Sequence, residues 1–523
     1  MKEIPNECIH AILINLVKDS KSLFSCCLVN RLWCLNAIPI LWSNPLQRKV
    51  SESLIRTYLS TLSLEEKKHL ITFGISLSNL PKPLFEYGAF LKVLDTSSTK
   101  NGVEMWLKHE GFIERYNNEM LTLAYDITME SLITMFLRTS RNLEELLIND
   151  QHMFPTLTTF LNAMPGITQL KTLQVKFYSC KHSTNTNIME LLNALTPKVC
   201  PYLKQLNIKS YLPDDASDTF VNIIKSHKKL EKIELDTCNI DKSVVVYNIS
   251  NYASEQTVKN FFLVCGHINE LELIKNERGD KQIAYITFQR STAAKTSTVL
   301  INAEFIGDPR ITVKFAKDTS YIKIFPTLKY LGNSLKELIL HYKDFSKISS
   351  DDIENISKCK NLIRLSFNYC QNMVLRHCTS LSKNKLNLKK LEIIGLSFDQ
   401  IVMITLITIW GSTLEVLHLD KLSQEIANTL LIHCSNLKEL VIYNFDVNLL
   451  KFTYPFLQQS SLKSLYINMN RKFCREYFEL VPNLPTTLTF LGLYTDFNDL
   501  EFENFSKYCG KFFDVNILNI RRL

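Results

Sequence analysis

The sequence predicts an α/β protein, and three observations carry that expectation. A phrase of the form Leu-x-x-Leu-x-Leu, with conservative replacements, recurs along most of the 523 residues. Helical stretches such as SSDDIENISKCK separate its copies. In the middle of the chain the phrase stops, and a segment with a different order of strands and helices takes its place. With 46% hydrophobic and 21% charged residues, and only 13 Gly and 15 Pro, the composition is that of a folded chain rather than a disordered tail. At this length more than one structural unit is expected.

A net charge of +8 is mild for such a chain, and Lys and Arg are scattered, so composition alone is weak evidence for nucleic acid. The 14 cysteines are irregularly spaced and form no Cys-x-x-Cys pair. Cys180, Cys359, Cys378 and Cys434 stand in or beside apolar repeat segments and read as reduced core thiols of a cytoplasmic or nuclear protein. His377-Cys378 and His433-Cys434 lack a second ligand pair at metal spacing, so neither a metal nor another cofactor is expected. The stretch MKEIPNECIHAILINLVKDS places Glu3, Glu7, Lys18 and Asp19 around a broken apolar pattern, which is neither a signal peptide nor a membrane span.

Ile9, Ile12, Leu13 and Leu16 share one face of a short helix that begins near Pro5, and Asp19 offers a cap for the next helical segment. Three short helices in so few residues bury little surface, which leaves apolar groups open for a partner. The stretch IPNECIHAILINLVKDSKSLFSCCLVNRLWCLNAIPILW resembles an F-box over residues 1–45, through Ile4-Pro5, Glu7, Ile12-Leu13, Leu16, Leu23, Cys26, Val29-Asn30-Arg31, Trp33 and Leu41-Trp42. The resemblance implies docking on a Skp-type adaptor within a cullin complex. The contacts it implies are Ile4, Pro5, Ile9, Ile12, Leu13, Leu16, Val29 and Trp33.

The repeated phrase reads Leu143-Leu146-Ile148, Leu170-Leu173-Val175, Leu203-Leu206-Ile208 and Leu230-Ile233-Leu235. After a break it resumes at Leu335-Leu338-Leu340, Leu362-Leu365-Phe367, Leu388-Leu391-Ile393 and Leu414-Leu417-Leu419. Leu437-Leu440-Ile442, Leu462-Leu465-Ile467, Leu488-Leu491-Leu493 and Val515-Leu518-Ile520 complete it. Most copies start 23 to 27 residues apart, the period of leucine-rich repeats, in which each unit adds a strand and a helix to a solenoid. Repeats are therefore expected over 50–240, with degenerate opening units up to 142, and again over 320–523. The intervening strand positions face the open side, where Tyr443, Tyr466, Phe490 and Tyr494 form a candidate substrate-binding cluster.

Leu230 and Leu335 lie 105 residues apart, and one 27-residue repeat leaves 78 to be explained. VVVYNI reads as a strand, SEQTVKNFFLVCG as a helix capped by Ser254, and INELELI and QIAYITF as strands. STAAKTSTVLIN then reads as a helix and ITVKFA as a last strand. This β-α-β-β-α-β order is the ferredoxin-like split motif. Over residues 242–318 it resembles an RNA-recognition motif, VVVYNI matching the shorter consensus strand and KQIAYITF the longer one. The stacking positions would be Val245, Ile283 and Tyr285, with Lys281, Lys314 and Lys317 near phosphates and Glu270, Glu272 and Asp280 opposing them. Gln282 stands where the consensus has Gly. Only Tyr285 is aromatic, so RNA binding is expected to be weak.

F-box followed by leucine-rich repeats resembles the substrate receptors of Skp/cullin/F-box ubiquitin ligases, a non-catalytic role in which the repeats capture a protein target. No Gly-rich phosphate loop, nucleophile elbow or paired-carboxylate motif suggests an enzyme. The alternative is an RNA-binding protein acting through the inserted domain, with the repeats as scaffold.

Overall fold

The computed structural model describes residues 4–48, 50–75, 77, 83–112, 118–149, 166–177, 186–210, 214–236, 243–250, 252–275, 281–299, 311–315, 320–395, 398–468, 476–494, 498–514 and 519–522. They fall into two compact units, Met1–Lys229 with Asn239–Asp318 and Leu230–Cys238 with Thr319–Leu523.

The first unit opens with helices α1 (Asn6–Ile14), α2 (Ser20–Cys27) and α3 (Arg31–Leu41). Two side chains set where the last two begin. The Asp19 carboxylate accepts the Ser22 N–H at 3.1 Å, and the Asn30 side-chain oxygen accepts the Trp33 N–H at 2.9 Å. Asn30 thereby divides the apolar run that follows Ser20. Ile9, Leu13, Leu23, Ala37 and Ile40 make the core of the three helices, with Leu16, Cys26, Cys27, Leu32, Trp33 and Leu41 packed around it.

Farther along, Tyr58 is wholly buried, edge-on to Trp42 at 5.4 Å and to Phe136 at 4.7 Å. Glu66 closes a capping box with Ser63 and also receives the Arg138 Nε and a terminal nitrogen at 3.0 and 2.9 Å. Helix Asn118–Thr139 supplies Phe136 and Arg138. Its stretch Met120–Thr139 is long and apolar enough to cross a membrane by composition, but Met129, Leu132, Ile133, Met135 and Phe136 are buried within the protein.

Strands β1 (Val93–Asp95), β2 (Glu145–Ile148), β3 (Thr172–Phe177) and β4 (Gln205–Ser210) pair in parallel in that order. β1 lies in the stretch 50–142, where degenerate opening units are expected but no copy of the phrase is located. Leu91 and Leu94 occupy the first and fourth positions of the phrase, but the sixth is Thr96, fully buried. Its hydroxyl donates to the Leu147 carbonyl at 3.4 Å and accepts the Asn149 N–H at 2.8 Å. A polar residue satisfied by the next strand's backbone hid the pattern.

Strand β5 (Lys232–Asp236) belongs to the second unit, and the chain then returns to the first to form a separate sheet. Its strands are β6 (Ser243–Ser250), β7 (Ile268–Lys275), β8 (Lys281–Phe288) and β9 (Thr312–Phe315), in the order β7-β8-β6-β9 and antiparallel throughout. Helices Glu255–Phe262 and Ser291–Val299 complete the β-α-β-β-α-β order, the first capped by Ser254 as expected. Val244, Val246, Ala284, Ile286 and Phe288 alternate along the strands and bury against Val258, Phe262 and Ala294.

In the second unit β5 pairs directly with β10 (Glu337–His341), Lys232 opposite Glu337 across 105 residues of chain. β11 (Arg364–Asn368), β12 (Lys390–Ile394), β13 (Val416–Leu419), β14 (Glu439–Ile442), β15 (Ser464–Asn468), β16 (Phe490–Tyr494) and β17 (Asn519–Arg522) follow in parallel. The same backbone step joins each to the next from β5 to β16. The Lys336 and Glu337 N–H groups both donate to the Glu231 carbonyl, at 2.7 and 3.0 Å, and those of Lys389 and Lys390 to the Ile363 carbonyl, each at 2.9 Å. Leu338, Leu340, Leu365, Phe367, Leu391, Leu417 and Leu440 are wholly buried, each worth about 1.5–3 kcal/mol of apolar transfer. Val515 and Leu518 lie outside the described residues, as does Cys180.

Candidate functional site

Three surfaces bear on function. On the N-terminal helices the predicted contact residues separate into two groups. Ile9 and Leu13 are wholly buried, and Leu16 and Trp33 pack against them, so these four hold the helices together. Ile4, Pro5, Ile12 and Val29 are exposed. Phe24, Leu28 and Leu35, which sequence reasoning did not single out, are exposed as well, at 57%, 72% and 50%. Helical periodicity marks an apolar stripe but cannot divide it between an inner and an outer partner.

On the parallel sheet of the second unit, Tyr466 and Phe490 meet with ring centres 4.9 Å apart, and the Arg521 guanidinium lies 5.6 Å from the Phe490 ring. Tyr443 lies edge-on to His418 at 6.3 Å. The Tyr494 side chain is outside what the structure describes. All three described rings are only half-buried. The middle of this face is not open, because neighbouring strands put side chains in contact. Ile339, Ser366, Glu392 and Val441, one from each of four strands, are all buried.

Sequence reasoning missed the charges gathered there. The Arg364 guanidinium reaches Glu392 at 3.0 Å and Glu337 at 3.2 Å, Lys390 reaches Glu392 at 3.0 Å, and His418 lies between Glu392 at 3.4 Å and Glu439 at 3.3 Å. Burial raises the Glu392 pKa, but the Ser366 hydroxyl beside it, Lys390 and Arg364 outweigh burial and bring it down to about 2. The Ser366 hydroxyl makes no hydrogen bond of normal geometry. Burial, then Lys390, lowers the His418 pKa against the pull of both glutamates. One charged residue per repeat reads in sequence as a solvated face, and only the strand register assembles the cluster.

The third surface is the antiparallel sheet. β6 and β8, the two strands with consensus character, are adjacent at its centre, with Val245 opposite Tyr285 on one side and opposite Lys314 on the other. Ile283 pairs with Ile274 on β7. The side chains of Val245, Lys281, Ile283, Tyr285 and Lys314 are outside the described set, as are those of Glu270 and Glu272 and the whole of Asp280 and Lys317. Gln282, the departure from consensus Gly, is a brace. Its side chain is buried and donates to the carbonyls of Ser250 at 2.7 Å and Ala253 at 3.0 Å, tying β8 to the turn that enters the first helix.

Burial pushes the thiols of Cys359 and Cys434 up to about 12 and that of Cys378 to about 11. They are inert packing groups at neutral pH. Among the described residues no group of three or more His, Cys, Asp or Glu side chains could hold a metal.

Residues 244–311 match the family described as RNA recognition motif. Two curated proteins are similar over the same fraction of this chain. One is the Multiple RNA-binding domain-containing protein 1 of Candida albicans, 30% identical over 15% of this chain and 9% of its own length. The other is the Binding partner of ACD11 1 of Arabidopsis thaliana, 32% identical over 15% of this chain and 29% of its own. The chain thus spans less than a third of either relative. Among solved structures, that of the Mip6 RRM3 domain is 18% identical, covering 15% of this chain and 94% of that one at a TM-score of 0.14. Within an α/β chain, residues 244–311 therefore form an RNA recognition motif domain.

Proposed function

We propose that this chain binds single-stranded RNA through the sheet β7-β8-β6-β9. The observation that supports the reading best is the family match of residues 244–311, in a segment whose two consensus strands lie side by side at the sheet centre. The Candida albicans relative, named for its RNA-binding domains, points the same way. Tyr285 supplies the one aromatic stacking position and Lys281 the nearest phosphate contact, so affinity is modest and salt-sensitive. In a titration of the full chain with a fluorescent oligonucleotide, Tyr285→Ala is expected to cost about 1–3 kcal/mol. Lys281→Ala is expected to reduce the salt slope by about 1. Unchanged RNA affinity and salt slope in both variants would remove RNA from this sheet.

A second reading is favoured by the apolar residues left exposed on α1–α3. In it the chain is a non-catalytic substrate receptor of a Skp/cullin/F-box ubiquitin ligase. Ile4, Pro5, Ile12 and Val29 meet the Skp-type adaptor, Ile9 and Leu13 support them, and the repeats over 50–240 and 320–523 form a leucine-rich-repeat solenoid that captures a protein target. The domain at 242–318 is then an insertion in that solenoid, and the protein works in the cytoplasm or nucleus. Ile12→Asp with Val29→Asp, both exposed, should abolish adaptor pull-down without unfolding the helices. Full retention of adaptor by the folded double variant would remove this reading.

A further inference from the structure

Just beyond β10, β11 and β12 the backbone turns at equivalent places, at Tyr342, Tyr369 and Gly395, and all three residues are left-handed, with φ of 56°, 55° and 97°. Glycine tolerates this conformation, whereas a bulky tyrosine there is an outlier that the surroundings must hold in place. What the two tyrosines gain is a parallel stack, with ring centres 5.1 Å apart and planes within 9°, and Tyr369 is 51% exposed. The third position cannot continue the stack. A Cβ on Gly395 would lie 2.9 Å from the Tyr369 Cα and from its ring Cδ1.

Beside Gly395 lies a pocket of about 340 Å³, lined by Gly395, Phe398, Asp420, Lys421, Asn444 and Asp446 among others. Asp420 is 6% exposed. One of its carboxylate oxygens accepts from the Asn444 amide at 2.6 Å, and the other, shut off from solvent, has no donor. Among the described residues it makes no ion pair, so one buried oxygen of this carboxylate is left without a partner. Asp446 is exposed, and one of its carboxylate oxygens takes the Asn448 N–H at 3.0 Å.

We propose that the pocket beside Gly395 and the adjoining Tyr342–Tyr369 stack bind an arginine side chain of a partner peptide. Two independent features select a cation: the half-exposed Tyr369 ring next to Gly395, and in the pocket two carboxylates, Asp420 and Asp446, against the single charge of Lys421. A guanidinium suits both, because it is planar enough to lie on a tyrosine ring and carries N–H groups at its edge for the carboxylates. The unpartnered Asp420 oxygen is the acceptor proposed for one of those N–H groups. The inference is independent of RNA binding by the antiparallel sheet.

Isothermal calorimetry on the full chain tests it, with N-acetyl-arginine methylamide, its neutral citrulline counterpart, and an octapeptide carrying one Arg among Gly and Ser. The arginine amide should bind saturably at one site, and the citrulline compound about tenfold or more weaker, the loss of one charge-assisted contact. Asp420→Asn should weaken the arginine amide by a similar factor. Should that variant melt early, the exposed changes Asp446→Asn and Lys421→Glu decide instead, the first weakening and the second tightening binding. The peptide should bind more tightly than the amide. Equal binding of arginine and citrulline, or indifference to Asp446→Asn and Lys421→Glu, overturns the proposal, and a peptide no tighter than the amide overturns the peptide as its source.

Discussion

In the sheet β7-β8-β6-β9 every strand runs antiparallel to its neighbour and the spatial order departs from chain order, whereas β5 and β10 to β17 run parallel and in chain order. The first is closed by two helices around one core built from Val244, Ile286, Phe262 and their neighbours. The second grows by addition, each strand from β10 to β16 resting on the previous one through the same pair of backbone hydrogen bonds. A closed motif ties particular residues to particular places, so its strands carry a family signature. An additive sheet repeats only its inward leucines and leaves the outward positions free. Those free positions hold the Glu392 cluster and lead to the Asp420 pocket, features that no repeat pattern specifies.

The largest expected difference between the sheets is their response to acid. The folded-state pKa of Glu392 lies near 2, below its ordinary value of 4.5. A depressed carboxylate contributes stability that is fully present above the unfolded pKa and is lost as pH falls from about 4.5 through about 2, on the order of 2 to 3 kcal/mol here. Arg364, Lys390, His418, Glu337 and Glu439 surround it, so Glu392→Gln should lower urea stability at pH 7 and flatten the acid limb. An acid limb as steep in the Gln variant as in the parent would show that the cluster does not govern acid sensitivity. Next comes Tyr285→Ala, whose predicted 1–3 kcal/mol falls on RNA binding and should leave urea stability almost untouched. The smallest effect is expected from removing residues 242–318 and joining the ends with a short Gly-Ser linker. Because β5 and β10 already pair in register, the melting of the second unit should move by less than about 1 kcal/mol. Aggregation at every linker length tried would make residues 242–318 necessary to the fold of the second unit.

Much of this architecture was legible from local pattern. Ser254 caps the helix expected of it, Asp19 caps α2, and KQIAYITF is a strand over the residues read as one. β1 was not legible, because Thr96 replaces an apolar residue and is satisfied only by the backbone of β2 and the residue after it. Nor was the division of the N-terminal stripe, since Leu13 and Ile12 are equally apolar while one is wholly buried and the other 46% exposed. The Gln282 brace was read as a departure from consensus, because its partners Ser250 and Ala253 lie some thirty residues away.

By itself the sequence determined the α/β class, the spacing of the recurring leucine phrase and the β-α-β-β-α-β order of the segment where that phrase is absent. Each of these rests on apolar spacing or capping within a few residues, interactions that the chain carries wherever it goes. Only the tertiary structure decided that β5 pairs with β10, that Arg364 is shared between Glu337 and Glu392, and that Gly395 and Asp420 line one pocket. Such contacts depend on register between strands from different repeats. A shift of one residue would turn every side chain to the other face, and no local pattern records which neighbour a strand will meet.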